Sequence, residues 1–249
     1  MIIKRDFNYS PKRKNRPLHI YLPDNYYETN EYYPVMYFFD GHNLFLKEDT
    51  TYGTTWGLKE FMETWPKDMI IVGIECGHEG YERLYEYMPY PSTWKDLNEN
   101  AILGEETYQW IINEIKPMID QEYRTIPFRE CTAIGGASMG GLMALYGAVH
   151  HNRWFSKAAC LSSAIGMCMR PLMKDMYEQK MDPDTRVYLS WGENEAHDNT
   201  YRIHRAVADK IEDSRATVKV VCQEGGGHCE ADWAKLVPEF MNFLWMGVN

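Results

Sequence analysis

Positive charge is in short supply in this chain. Across 249 residues, 26 Lys and Arg stand against 36 Asp and Glu, for a formal net charge of −10. Such a chain repels phosphate backbones and anionic membrane surfaces, so neither nucleic acid nor membrane is an expected partner. Long hydrophobic runs are missing as well. No stretch approaches the length of a membrane span, and the opening Met1-Ile2-Ile3-Lys4-Arg5-Asp6 lacks the apolar core of a secretory leader. The six cysteines (Cys76, Cys131, Cys160, Cys168, Cys222 and Cys229) contain no C-x-x-C pair. Cys131, Cys160 and Cys222 fall in apolar runs that read as strands, so buried free thiols are expected rather than a disulfide framework. A cytoplasmic location is the matching expectation. Internal repeats and low-complexity linkers are absent, which favours a single domain over residues 1–249. Neither G-x-x-x-x-G-K-[ST] nor G-x-G-x-x-G occurs, so no phosphate-cradling loop is indicated. Core-forming residues are not lacking: 45% hydrophobic and 14% aromatic content excludes a disordered chain.

The most informative stretch present is Gly136-Ala137-Ser138-Met139-Gly140, which fits G-x-S-x-G, the pattern of a strand turning sharply into a helix with a serine at the apex. Strand and helix nearly collide at such a turn, so the flanking positions must be small. Gly135, Gly136, Ala137, Gly140 and Gly141 all are. Upstream, Cys131 to Ile134 reads as a buried strand, and downstream Leu142 to Tyr146 reads as an apolar helix.

The rest of the chain alternates strands and helices. Phe7 to Tyr9 and Leu18 to Leu22 form an expected antiparallel opening pair, joined by polar Ser10 to Arg16. Val35 to Phe39, Met69 to Ile74, Lys157 to Leu161, Val187 to Trp191 and Val218 to Cys222 read as strands. Trp56 to Trp65, Gly104 to Tyr123, Pro171 to Gln179, Arg202 to Glu212 and Trp233 to Trp245 read as helices. This alternation predicts an α/β fold with a mostly parallel sheet covered by helices on both faces. Residues 75–101 lack clean periodicity and hold Tyr81, Tyr85, Tyr87, Tyr90 and Trp94, which marks a substrate-binding loop or lid.

A serine hydroxyl needs a base to become a nucleophile, and the base needs a carboxylate to fix its tautomer. In parallel sheets, reacting groups gather after the carboxyl ends of strands. Among eight histidines, His228 stands out: it follows the last predicted strand through Gly225-Gly226-Gly227. His150 and His151 are expected to face solvent, His19 lies within a strand and His204 within a helix. The acid is expected after Val187 to Trp191, where Glu195 is the first choice and Glu193 and Asp198 are alternatives. Backbone amides of Met139 and His42 are the expected oxyanion donors, with Gly41 letting the backbone turn toward the oxyanion. A metal held by His42 with His78 or His228 lacks ligand spacing, so no metal or cofactor is expected.

Three segments together resemble a known family: Val35-Met36-Tyr37-Phe38-Phe39-Asp40-Gly41-His42-Asn43-Leu44-Phe45, the elbow Gly136 to Gly141, and Gly225-Gly226-Gly227-His228 with Trp233. They are similar to the Putative esterase family of α/β-hydrolases, whose relatives include feruloyl and acetylxylan esterases and S-formylglutathione hydrolases. The resemblance runs from about Leu18 to Phe243. It implies an eight-stranded α/β-hydrolase sheet, Ser138 as nucleophile, His228 as base and a carboxylate falling on Glu195. Many members place Asp at the acid, where this loop has only glutamates before Asp198. The expected activity is that of a serine esterase working through an acyl-enzyme on a small-molecule ester, an acylated sugar or an aromatic acyl ester. Gly41, Asn43 and Tyr87 are assigned to substrate binding, and Tyr81, Tyr85 and Trp94 to stacking. An acyltransferase and a catalytically silent carbohydrate-binding protein are the alternatives. A homo-oligomer is left open.

Overall fold

The computed structural model of the chain describes residues 1–92, 101–197 and 199–247. Trp94 of the aromatic segment and the alternative acid Asp198 lie outside the described residues. The chain opens with β1 (Ile2–Tyr9) and β2 (Lys14–Tyr21), an antiparallel pair in full register from Ile2 opposite Tyr21 to Tyr9 opposite Lys14. Both strands run further into polar sequence than apolar content predicts. β1 is an edge strand with Lys4, Asp6 and Asn8 exposed, so polar side chains cost it little.

Six further strands follow: β3 (Val35–Phe39), β4 (Ile70–Ile74), β5 (Thr132–Ala137), β6 (Lys157–Leu161), β7 (Arg186–Gly192) and β8 (Thr217–Gln223). The sheet order is β1-β2-β4-β3-β5-β6-β7-β8, with β2 antiparallel to β4 and every later neighbouring pair parallel. The eight-stranded, mostly parallel sheet implied by the sequence is therefore present. β3, β4 and β5 are buried at every position, as a sheet covered on both faces requires.

The helices are α1 (Leu58–Met62), α2 (Glu82–Glu86), α3 (Gly104–Trp110), α4 (Lys116–Glu122), α5 (Met139–Val149), α6 (Met169–Glu178), α7 (Thr200–Asp213) and α8 (Glu230–Trp245). α1 is shorter than the expected 56–65 span because Gly57, at φ 63, holds a left-handed conformation just before it. The expected 104–123 helix is interrupted: a π turn, Ile111–Ile115, separates α3 from α4. Pro117, which cannot donate a backbone hydrogen bond, is the second residue after that wider turn. Successive β3 side chains feed opposite faces. Val35, Tyr37 and Phe39 pack with α5, whereas Met36 and Phe38 pack with α1 and α8. α5 is buried around its whole circumference. Among the described residues, no helix is long and apolar enough to cross a membrane.

The thiols depart from expectation. All six cysteines are free, but only Cys76, Cys160 and Cys168 are buried, while Cys222 and Cys229 are exposed and Cys131 is intermediate. Cys222 lies on β8, an edge strand that is only half covered. His151 departs too: it is buried and bonds Glu105 through Nε2 at 2.8 Å rather than facing solvent.

Candidate active site

β5 delivers Ser138 to the sheet's carboxyl end at φ 58 and ψ −120. Backbone in that region costs a non-glycine residue roughly 1–3 kcal/mol, and it persists only where surroundings over-determine it. Here they do. The Ser138 amide donates to the Leu161 carbonyl at 2.9 Å, and its carbonyl accepts from Leu142 and Ala164 at 3.0 and 3.1 Å. The glycines permit the crossing: a Cβ on Gly136 would lie 2.7 Å from the Gly140 carbonyl carbon, and one on Gly141 would lie 2.6 Å from the Leu161 oxygen. Ser138 is half-buried between fully buried neighbours, so its side chain reaches the surface of the cleft.

β7 and β8 end on the same side of the parallel sheet, beyond β6. Glu195 follows β7 in a short 3-10 turn and faces His228, which follows β8. His228 Nδ1 donates to Glu195 Oε2. A carboxylate can only accept there, so the neutral ring keeps its Nε2 lone pair free. Glu195 Oε1 also accepts from the Gly192 amide at 2.5 Å and from the Ser162 hydroxyl. Burial pushes the Glu195 carboxyl up, but the donors His228, Gly192 and Ser162 together bring it below its ordinary value. Glu193 turns elsewhere and accepts from the Gly225 amide at 2.9 Å.

Ser162 is a member of this cluster that motif reading does not reach. At φ 44 it follows β6, accepts a hydrogen bond from Trp233 Nε1 at 2.8 Å and donates one to Glu195. Trp233 also stands edge-on to the His228 ring at 5.1 Å. The usable signal was its place after a strand's carboxyl end, the rule that located Glu195 and His228.

The turn after β3 closes the opposite wall. Asp40, not Gly41, takes the left-handed conformation, at φ 57. The role expected for Gly41 is thereby corrected: a Cβ there would lie 2.2 Å from the Gly73 carbonyl carbon, so glycine is needed for close packing on β4. Arg83 grips the Asp40 carboxylate through Nε and Nη2, both at 2.7 Å. Burial opposes the ionised Asp40, but Arg83 outweighs it and holds the carboxyl below its ordinary range. The Asp40 side chain is also 3.2 Å from the Cβ position of Gly140, so this turn rests against the elbow. Met139 begins α5 and His42 lies in the first turn of the 3-10 helix Gly41–Asn43, so helical bonding leaves their amides unclaimed.

Asn43 lines the cleft, accepts from the Thr51 amide at 3.1 Å and donates to Glu230 at 3.3 Å. Glu230, two residues past His228 and also missed by motif reading, is buried, and that burial raises its carboxyl above the ordinary range. Tyr87 does not line the cleft. It is 1% exposed, packs edge-on to Phe39 at 4.9 Å, and accepts from the Asp40 amide at 3.1 Å. Its assignment to substrate binding is corrected to support of the Asp40 turn. Tyr90 is likewise buried, against Asp175, whereas Tyr81 is exposed. Ser138, His228, His42, Asn43, Arg83 and Glu230 surround one cavity of about 640 Å³. Its aromatic lining comes from Tyr52, Trp56 and Trp233.

Comparison with known proteins bears on the family and the fold. The profile of the family described as "Putative esterase" matches residues 12–246. The uncharacterized protein YbbA of Bacillus subtilis is 23% identical over 212 residues, covering 80% of each chain. Two solved structures share the fold: a ferulic acid esterase, at a TM-score of 0.71 and 17% identity over 98% of this chain and 97% of that one, and an IroE-like serine hydrolase from Shewanella oneidensis, at a TM-score of 0.75 and 18% identity over 99% and 80%.

Proposed function

The chain belongs to the Putative esterase family and is a carboxylic ester hydrolase, and we propose that it works as a serine esterase through an acyl-enzyme. Ser138 Oγ attacks the ester carbonyl carbon while His228 Nε2 takes its proton. The developing oxyanion is received by the amides of Met139 and His42. Collapse breaks the carbon–oxygen bond of the leaving alcohol, and His228 returns the proton to it. Water then repeats the sequence against the acyl-serine and releases the acid. Glu195 orients His228 and balances the charge of its cation. One observation carries this reading: an imidazole fixed at Nδ1 by a carboxylate shares a cleft with a serine in a strained elbow.

The substrate class we favour is an aromatic acyl ester or an acylated sugar. Tyr52, Trp56 and Trp233 line the cleft, Tyr52 exposed and the two indoles buried, an aromatic lining suited to either ring, and a structural neighbour is named as a ferulic acid esterase. Residues 75–92 supply Arg83 to this cleft and bury Tyr87 behind it, which supports a role for this segment as one wall of the binding site. The test compares wild type with Ser138→Ala on short-chain, feruloyl and acetylated-sugar esters and with a fluorophosphonate probe. Turnover is expected to fall at least roughly a thousandfold in the variant, with labelling lost. Equal turnover by the two proteins would remove Ser138 from the mechanism.

A further inference from the structure

Three metal-ligating side chains converge on the wall of the cleft across from the Glu195–His228 pair. His42, Cys76 and His78 all line the cavity, and one ligating atom of each lies within 4.8 Å of the other two. They come from the ends of β3 and β4, which are paired in parallel with Phe39 opposite Ile74. Strand adjacency brings them together, so a sequence pattern built on ligand spacing cannot reveal them.

The surroundings suit a cation. His42 Nε2 is engaged with Thr51 Oγ1 at 2.9 Å and His78 Nε2 with Glu75 Oε2 at 3.0 Å. On each ring this leaves Nδ1 available. Imidazoles that bind metals are characteristically held in this way by an acceptor on the far nitrogen. The His42 Nδ1 atom is buried and has no hydrogen-bond partner, an orphan that calls for explanation. Cys76 is 2% exposed and lines the cavity together with Asp40. Arg83 pairs with Asp40, and Glu75, which also meets His19 Nε2 at 2.6 Å, is the carboxylate that holds the His78 ring.

We propose that His42, Cys76 and His78 form a zinc site on the wall of the cleft, with two imidazole nitrogens and one thiolate as ligands. Borderline-soft zinc favours this N/S donor set. Binding breaks the Cys76 S–H bond and forms an S–Zn bond, and the proton leaves to solvent with no change of oxidation state. Three protein ligands leave one tetrahedral position open. Because His42 also supplies a proposed oxyanion amide, an ion held here lowers ester turnover. That last consequence rests on the esterase reading; the binding site does not.

Cobalt(II) titration of the Ser138→Ala protein tests the site without reference to turnover. One equivalent is expected to bind and to produce a near-ultraviolet thiolate-to-cobalt charge-transfer band. Cys76→Ser in the same background abolishes the band, and His78→Ala, at an exposed position, weakens binding at least about tenfold. A second cluster, Glu105, His150 and His151, has comparable spacing but no thiol, so it cannot mimic the band. Stoichiometric cobalt without the band, no binding at all, or unchanged affinity in both variants overturns the proposal. In wild type, zinc is expected to suppress turnover reversibly on chelator addition, and His78→Ala shifts the inhibiting concentration upward by the same factor. Persistent turnover with the site filled would refute the inhibitory role alone.

Discussion

Ser162 donates a hydrogen bond to Glu195 while accepting one from the indole N–H of Trp233, so a single oxygen links the closing helix to the acid that holds His228. Ser162→Ala leaves the buried Trp233 Nε1 without an acceptor, a loss of roughly 1–3 kcal/mol. We expect kcat to fall about tenfold and the melting temperature by several degrees. An unchanged kcat would show that Glu195 is held well enough by Gly192 and His228 alone. Glu195 also makes a pH signature. Its folded carboxyl titrates below its ordinary 4.5, so its stabilisation is complete above that value and is lost as pH falls through the lower folded one. Melting curves of wild type and Glu195→Gln between about pH 6 and about pH 3 should therefore converge toward acid. A constant gap would mean that the hydrogen bonds to Glu195 do not depend on its ionisation. The positions of Ser138, Glu195 and His228 after strand ends were legible because strand-end placement and a glycine-flanked motif are both written in the chain. Tyr87 was misread because an aperiodic aromatic run does not disclose which rings face inward.

At the scale of elements, the fully apolar strands were the most legible. β3 and β6 occupy the spans expected of them, Val35–Phe39 and Lys157–Leu161, since continuous apolar runs bounded by turn residues leave little freedom of assignment. Polar edge strands were read too short, and the π turn before Pro117 was not visible because apolar spacing tolerates one extra residue. The β5–α5 crossing is the most constrained junction. A methyl group on Gly136 meets the Gly140 backbone at 2.7 Å, which no rotamer change relieves. Gly136→Ala is expected to cost about 1–3 kcal/mol and to reduce turnover in parallel, because separating strand from helix tilts Ser138. Normal stability with full activity would show that the elbow has slack that these contacts do not suggest.

Across the whole molecule, the proposed machinery is drawn from unequal parts of one sheet. Ser138 rises from β5, buried at every residue between β3 and β6, whereas His228 hangs from β8, the outermost strand on its side of the sheet and only half covered. Local opening free energies track such differences in burial. Nucleophile and base therefore belong to regions that come loose at different stages. As urea rises, peeling of the outermost strand carries the imidazole out of reach while the central sheet stands. Ester turnover should vanish at a lower urea concentration than the far-ultraviolet helix signal, and coincident transitions would refute this. Reaction rate thus becomes a reporter of edge fraying that spectroscopy of the bulk chain would miss.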